Sequence, residues 1–192
     1  LAAHAQGAEH GSHGLDRLRV NRVGLWLFFF SESVIFGLLL SARFFLEGIE
    51  ADHLDQLLGL GITVLLLASS ITAFTAETAI ARGNRSLCGW MLLATIVMGL
   101  LFAGGVAFEW SSAEFTKEEA FGTAFFVMTG LHATHVISGV GMLAMAWVML
   151  LRGHFSPKSY WGIEGTVKYW HFVDVVWVFF YPALYLVQGV HS

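Results

Sequence analysis

The sequence predicts an all-α, polytopic membrane bundle of five transmembrane helices. Three observations carry this. Hydrophobic residues make up 56% of the 192 and charged residues only 12%, where an average soluble domain carries roughly 25% charged residues. The apolar residues fall into five runs, each long enough for the roughly 20 residues that cross the hydrocarbon core as a helix. Lysines and arginines gather in alternate connections. A sheet with open edges cannot satisfy its backbone in lipid, and the short alternating strands of a barrel are absent.

Residues 1–22 form a polar, histidine-rich tail with His4, His10 and His13. Such tracts can hold metal; the plainer reading is a solvated arm. The tail lacks the apolar core of a signal peptide. The transmembrane domain is expected over residues 23–192. Helix one, 23–45, is interrupted only by Ser31-Glu32-Ser33 and Arg43. Helix two spans 57–82 and helix three 87–110. Helix four, 120–151, contains no Asp, Glu, Lys or Arg, so a long, tilted span is expected. Helix five covers 166–188. The longest connection between helices four and five, 152–165, carries Pro157, a turn former. The single cysteine, Cys88, excludes an internal disulfide and a cysteine-based cluster.

Charge placement predicts orientation. Arg17, Arg19, Arg22, Arg82, Arg85, Arg152, Lys158 and Lys168 fall on one side, eight of the ten basic residues. The other side has Arg43 and Lys117 among Glu47, Glu50, Asp52, Asp55, Glu114, Glu118 and Glu119. The N-terminus is therefore expected in the cytoplasm and the C-terminus outside. Glu77 and Glu109 fall near interfaces, Glu109 beside the anchoring Trp110.

The costly residues lie deeper. Ionisable side chains inside a membrane have partners and purposes by default. At about 1.5 Å per residue, Glu32 lies roughly 14 Å in from the cytoplasmic start of its helix and Asp174 roughly 12 Å, with His171 shallower. His132 and His135 lie about 18 and 22 Å down from the outer start of helix four. Glu32, His132, His135, His171 and Asp174 thus converge on overlapping levels as a buried polar cluster. Within it, His132 with His135 and His171 with Asp174 are spaced i, i+3, on one helix face each. Glu32 is expected to meet a helix-four histidine, and Asp174 a histidine or a backbone donor. One reading is interhelical glue, at about 0.6 kcal/mol per hydrogen bond; another is a proton relay. A third is a metal site built from Glu32, His132 and His135, or a haem held between His135 and His171. The second and third helices add no ligand at that depth, so neither a metal nor a catalytic centre is expected. Gly130, Thr134 and Ser138 form a small-residue ridge that would admit a close neighbour.

The stretch Tyr169-Trp170-His171-Phe172-Val173-Asp174-Val175-Val176-Trp177 closely resembles the final-helix signature of subunit III of the haem-copper oxidases. Residues 121–136, ending Gly130-Leu131-His132-Ala133-Thr134-His135-Val136, resemble that family's other strong motif. Ser31-Glu32-Ser33 is similar to the segment bearing its buried, carbodiimide-reactive carboxylate, and Ser69-Ser70-Ile71-Thr72 and Phe108-Glu109-Trp110 match in type. The resemblance covers about residues 23–189. Long members have seven helices, so this chain resembles the short bacterial form that lacks the first two. Those two helices wall a lipid-filled cleft, so bound phospholipid carries over only in part.

The resemblance implies a non-catalytic subunit of a cytochrome c oxidase-type complex in the bacterial plasma membrane. It would pack directly on subunit I beside subunit II, support proton uptake and sustain turnover, with haem and copper held by partner subunits. Membrane lipid is an expected partner and nucleic acid is not. Subunit III of a quinol oxidase and the related nitric-oxide-reductase accessory protein are neighbouring alternatives. An independent proton-coupled transporter or a haem-binding electron carrier would be a different class.

Overall fold

The computed structural model describes residues 2–45, 56–112 and 120–186, with the side chains of 1–17 and those flanking the gaps outside the description. The acidic connections expected on one side (Glu47, Glu50, Asp52 and Asp55; Glu114, Glu118 and Glu119) lie outside the described residues, as do Lys117 and Gln188. Five helices follow one another: α1 (Ala2–Phe45), α2 (Gln56–Ala81), α3 (Arg85–Ser112), α4 (Ala120–Leu151) and α5 (Trp161–Tyr181), then a π-helical turn, Pro182–Leu186. α1, α2, α3 and α4 are long and apolar enough to cross a membrane. α5 is the exception, because Glu164, Lys168 and Asp174 all fall within its 21 residues.

The contacts divide the chain into two units, Leu1–Ile35 and Phe36–Ser192. The first unit is helical from Ala2, so the stretch expected as a solvated arm continues the helix. Its apolar side chains point outward on several sides, Val20, Trp26, Leu27 and Phe30 among them. A helix apolar all round belongs in hydrocarbon or a large core.

The second unit holds the bundle. α2 and α3 run antiparallel: Thr72 bonds Thr95 at 2.8 Å, and the backbone of Gly105 lies against Ile62 further along. α3 and α4 are also antiparallel, with Trp110 on Thr129 at one end and Gly89 beside Leu150 at the other. Both helices that end at the basic connections stop in the same way. Gly83 (φ +82) and Gly153 (φ +85) take the left-handed conformation that a side chain would resist. Asn84 N–H then returns to Ala79 and His154 N–H to Met149, at 2.9 and 3.1 Å. This is the Schellman pattern that satisfies orphan carbonyls. Asn84 Oδ1 caps α3 by accepting from Leu87 N–H at 3.0 Å. Arg85 Nη2 donates to Leu150 O at 2.6 Å, and Gly83 lies against Pro157. The two basic connections therefore meet at one end of the bundle.

α5 begins at Trp161, five residues before the expected 166. Ser156 and Ser159 exchange two backbone hydrogen bonds and close the turn around Pro157. Glu164 and Lys168 pair at 2.5 Å across one helical turn, with Lys168 Nζ 5.6 Å from the Trp161 ring. α5 ends at Tyr181, within the expected span, because Pro182 has no N–H to continue the ladder. The backbone widens there into the π turn.

Candidate functional site

The stretch from Tyr169 to Phe180 is the axis of the second unit. Trp170 is fully buried. Its ring lies between two helices at glycines: a Cβ on Gly99 of α3 would stand 2.5 Å from it, and one on Gly139 of α4 would stand 2.9 Å away. Mid-helix glycine costs roughly 1 kcal/mol relative to alanine, and here the bare backbone makes the space the indole fills. Trp170 Nε1 donates to Ser69 Oγ of α2 at 2.9 Å. One side chain thus ties all four helices of the bundle. Seven residues on, Trp177 repeats the device: Nε1 donates to Thr63 Oγ1 at 2.9 Å, and the ring meets Phe102 edge-on at 4.9 Å.

Between these layers lies the ionisable pair. Ser70 Oγ donates a hydrogen bond to Asp174 Oδ2 and lies 3.0 Å from His171 Nδ1. A hydroxyl has one proton to give. With that proton on Asp174, the imidazole Nδ1–H must donate to Ser70. If Asp174 carries the proton, the whole chain of bonds can reverse. His171–Ser70–Asp174 is thus a three-member chain of hydrogen bonds. The donor to Asp174 is therefore a serine hydroxyl of α2, where a histidine or backbone donor was expected. The triad floors an open groove of about 440 Å³ between α2 and α5, walled by Ile71, Phe74 and Val178. Asp174 is 3% exposed, and its Oδ1 has no hydrogen-bond partner among the described residues.

The helix-four histidines are placed differently. His132 is 0% exposed, and neither ring nitrogen has a hydrogen-bond partner among the described residues. It leans at 33° over Trp177, 4.9 Å between centroids, with Phe102 edge-on at 5.7 Å and Phe180 at 6.2 Å. His135 Nδ1 donates to Leu131 O at 2.9 Å and its ring meets Phe36 at 5.0 Å. Glu32 is half-buried on the first unit and has interactions of its own. Among the described residues no three of His, Cys, Asp or Glu gather where one ion would sit.

The small-residue ridge does not make one interface. A Cβ on Gly130 would stand 3.3 Å from Trp110 of α3. Ser138 Oγ lies 2.6 Å from Tyr169 Oη of α5. Thr134, between them, is exposed and returns its hydroxyl to Gly130 O. Four residues advance a helix by about 40° beyond a full turn, so the row rotates from one neighbour to the next. The closest approaches between helices fall instead at Gly99, Gly105 and Gly139. Sequence reasoning missed these glycines and the partners Thr63, Ser69 and Ser70. Their available signal was spacing: Ser69 and Thr63, six residues apart on α2, answer Trp170 and Trp177, seven apart on α5, and Ser70 answers His171 and Asp174.

An all-helical chain with four membrane-length apolar helices, and with polar side chains paired across α2 and α5, defines an integral-membrane protein. The chain matches the family model described as cytochrome c oxidase subunit III over residues 3–188, and it belongs to that family. Cytochrome c oxidase subunit 3 of Neurospora crassa is 35% identical over 196 residues, covering 94% of this chain and 72% of the relative. The proteins of that name from Gallus gallus and Scyliorhinus canicula are 39% and 40% identical over 124 residues, 64% of this chain and 48% of each relative. The chain thus spans about half the length of these two relatives.

Proposed function

We propose that this chain is a non-catalytic subunit III of a haem-copper terminal oxidase of the cytochrome c oxidase type. It packs on subunit I, supports proton uptake and sustains turnover in aerobic respiration. Subunit II and further chains complete the assembly, and haem and copper reside in the partner subunits. All five helices cross a bacterial plasma membrane, α5 included, with the basic end of the bundle and the N-terminus in the cytoplasm. The charges of α5 fit such a span: Glu164 and Lys168 pair with each other near its start, and Asp174 is turned onto Ser70.

The observation that carries this reading is how the 169–177 stretch is used. Its indoles fill the bundle and donate to α2 hydroxyls, while the ionisable pair is bridged by a single serine. That arrangement suits a locking role that keeps a short relay in place. Removing the chain from the complex is expected to leave initial turnover near normal and to shorten the number of turnovers before inactivation. Oxygen-electrode traces of the complex with and without the chain measure both. Unchanged durability would sink the reading. Proton conductance by the chain reconstituted alone would favour an independent transporter instead.

A further inference from the structure

We propose that the groove between α2 and α5 seats a transmembrane helix of a partner chain, and that this helix presents a hydroxyl or carboxamide side chain to His171 Nε2. The inference rests on the reading of this chain as one subunit of a membrane complex. It goes beyond that reading by naming the face that is covered and the chemistry that covers it.

Two ridges wall the groove. On α2, Leu67, Ile71 and Phe74 line it and continue a row of exposed side chains from Leu60 and Val64. The spacing along that row alternates between four residues and three. On α5, His171, Val175 and Val178 line the same groove with the same alternation. Apolar side chains repeated in this way hold one seam turned toward a neighbouring helix over several turns. Two such ridges side by side leave a seat for a third helix.

The floor selects the occupant. Ser70 lies eleven residues from the end of α2 at Ala81, and His171 ten residues from the start of α5 at Trp161. At the helical rise these are depths of about 16 and 15 Å, close to the middle of a hydrocarbon core roughly 30 Å thick. His171 makes one hydrogen bond among the described residues, through Nδ1 to Ser70. Its Nε2 is left at the groove that the ring lines. Neither water nor a lipid headgroup meets a polar atom at that depth, and an acyl chain has nothing to bond with. A helix can bring a polar side chain to any depth. Nε2 accepts when Nδ1 carries the ring proton and donates when it does not, and a hydroxyl or carboxamide answers either form. An ammonium or carboxylate would bring a large desolvation cost of its own.

The test uses the intact complex in its own membrane, with the photoreactive p-benzoylphenylalanine placed at Ile71 or at Val175, one on each wall. After illumination, mass spectrometry should find both positions joined to one and the same transmembrane segment of a partner chain. That segment should carry Ser, Thr, Asn or Gln at the level of His171. Replacing that side chain by an apolar one, or His171→Phe, should each lower severalfold the fraction of this chain retained through a detergent challenge. The two changes together should lower it no further, since both remove the same contact. If His171→Phe does not fold, Val178→Trp fills the groove from an exposed wall and should lower the Ile71 adduct severalfold. Adducts confined to lipid overturn the proposal. So do adducts to a second copy of this chain, and a partner segment with no hydroxyl or carboxamide at that level. A chain that purifies with no partner at all is a different failure, because it removes the subunit reading and the proposal falls with it.

Discussion

His171 and His132 both lie within i, i+3 pairs inside the same bundle, yet their surroundings treat them in opposite ways. His171 faces α2, where Ser70 offers a hydroxyl that Asp174 shares. His132 faces Phe102, Trp177 and Phe180, none of which offers it a hydrogen bond, and it packs as one more flat ring. A polar residue in an apolar span thus either draws a partner from the next helix or is absorbed for its shape. The α2–α5 seam takes the first course and the α3–α4–α5 aromatic box the second.

The seam and the box meet at the tryptophans, so the largest effect should come from removing the layer they share. Trp170→Ala is expected to cost about 3–5 kcal/mol, the range for emptying a packed aromatic site. It also removes the indole N–H from which Ser69 Oγ accepts and leaves Gly99 and Gly139 facing a void. A denaturation midpoint of the purified protein in detergent, together with chain retention in the complex, measures this. A smaller loss from Trp170→Ala than from the seam variants below would show that the seam alone holds the bundle.

The second effect belongs to the seam. Ser70→Ala removes the single hydroxyl on which His171 and Asp174 both depend. The cost should be about 1–3 kcal/mol, because buried polar groups lose their partner with nothing replacing it. Ser70→Thr keeps a hydroxyl and should recover most of the loss. Equal destabilisation by alanine and threonine would mean that packing, not the hydroxyl, matters at this position.

The helices themselves were legible because they depend on composition and length. Five apolar runs gave five helices, and the glycines at 83 and 153 close α2 and α4 near the expected places. Where α5 begins and ends was less legible, since hydropathy does not register the missing N–H of Pro182 or the turn that starts the helix at Trp161. The inner geometry was hidden for a different reason. Rise per residue gives depth, so the ionisable residues were placed on overlapping levels. Rotation about each axis is fixed only by packing, and here the packing is set by indole rings against Gly99 and Gly139. Depth therefore grouped His132 with His171, while rotation gives them different neighbours. The α2 hydroxyls were overlooked because serines and threonines in a helix commonly bond their own preceding carbonyls. Thr63 and Ser69 do that, at 2.7 and 2.5 Å, and accept from the tryptophans as well.

The smallest effect is the most discriminating. His132→Phe replaces a ring whose nitrogens have no described hydrogen-bond partner with one of similar shape and no nitrogens. Removing a polar group that bonds nothing while keeping its volume should be nearly neutral or stabilising, within about 1 kcal/mol. His171→Phe removes a hydrogen bond to Ser70 and should destabilise by more. If His132→Phe instead destabilises as much as His171→Phe, His132 has a polar role in the assembled complex, and its aromatic box is only part of its surroundings. The same thermal midpoint, read on the two variants side by side, decides between a histidine kept for its shape and one kept for its nitrogens.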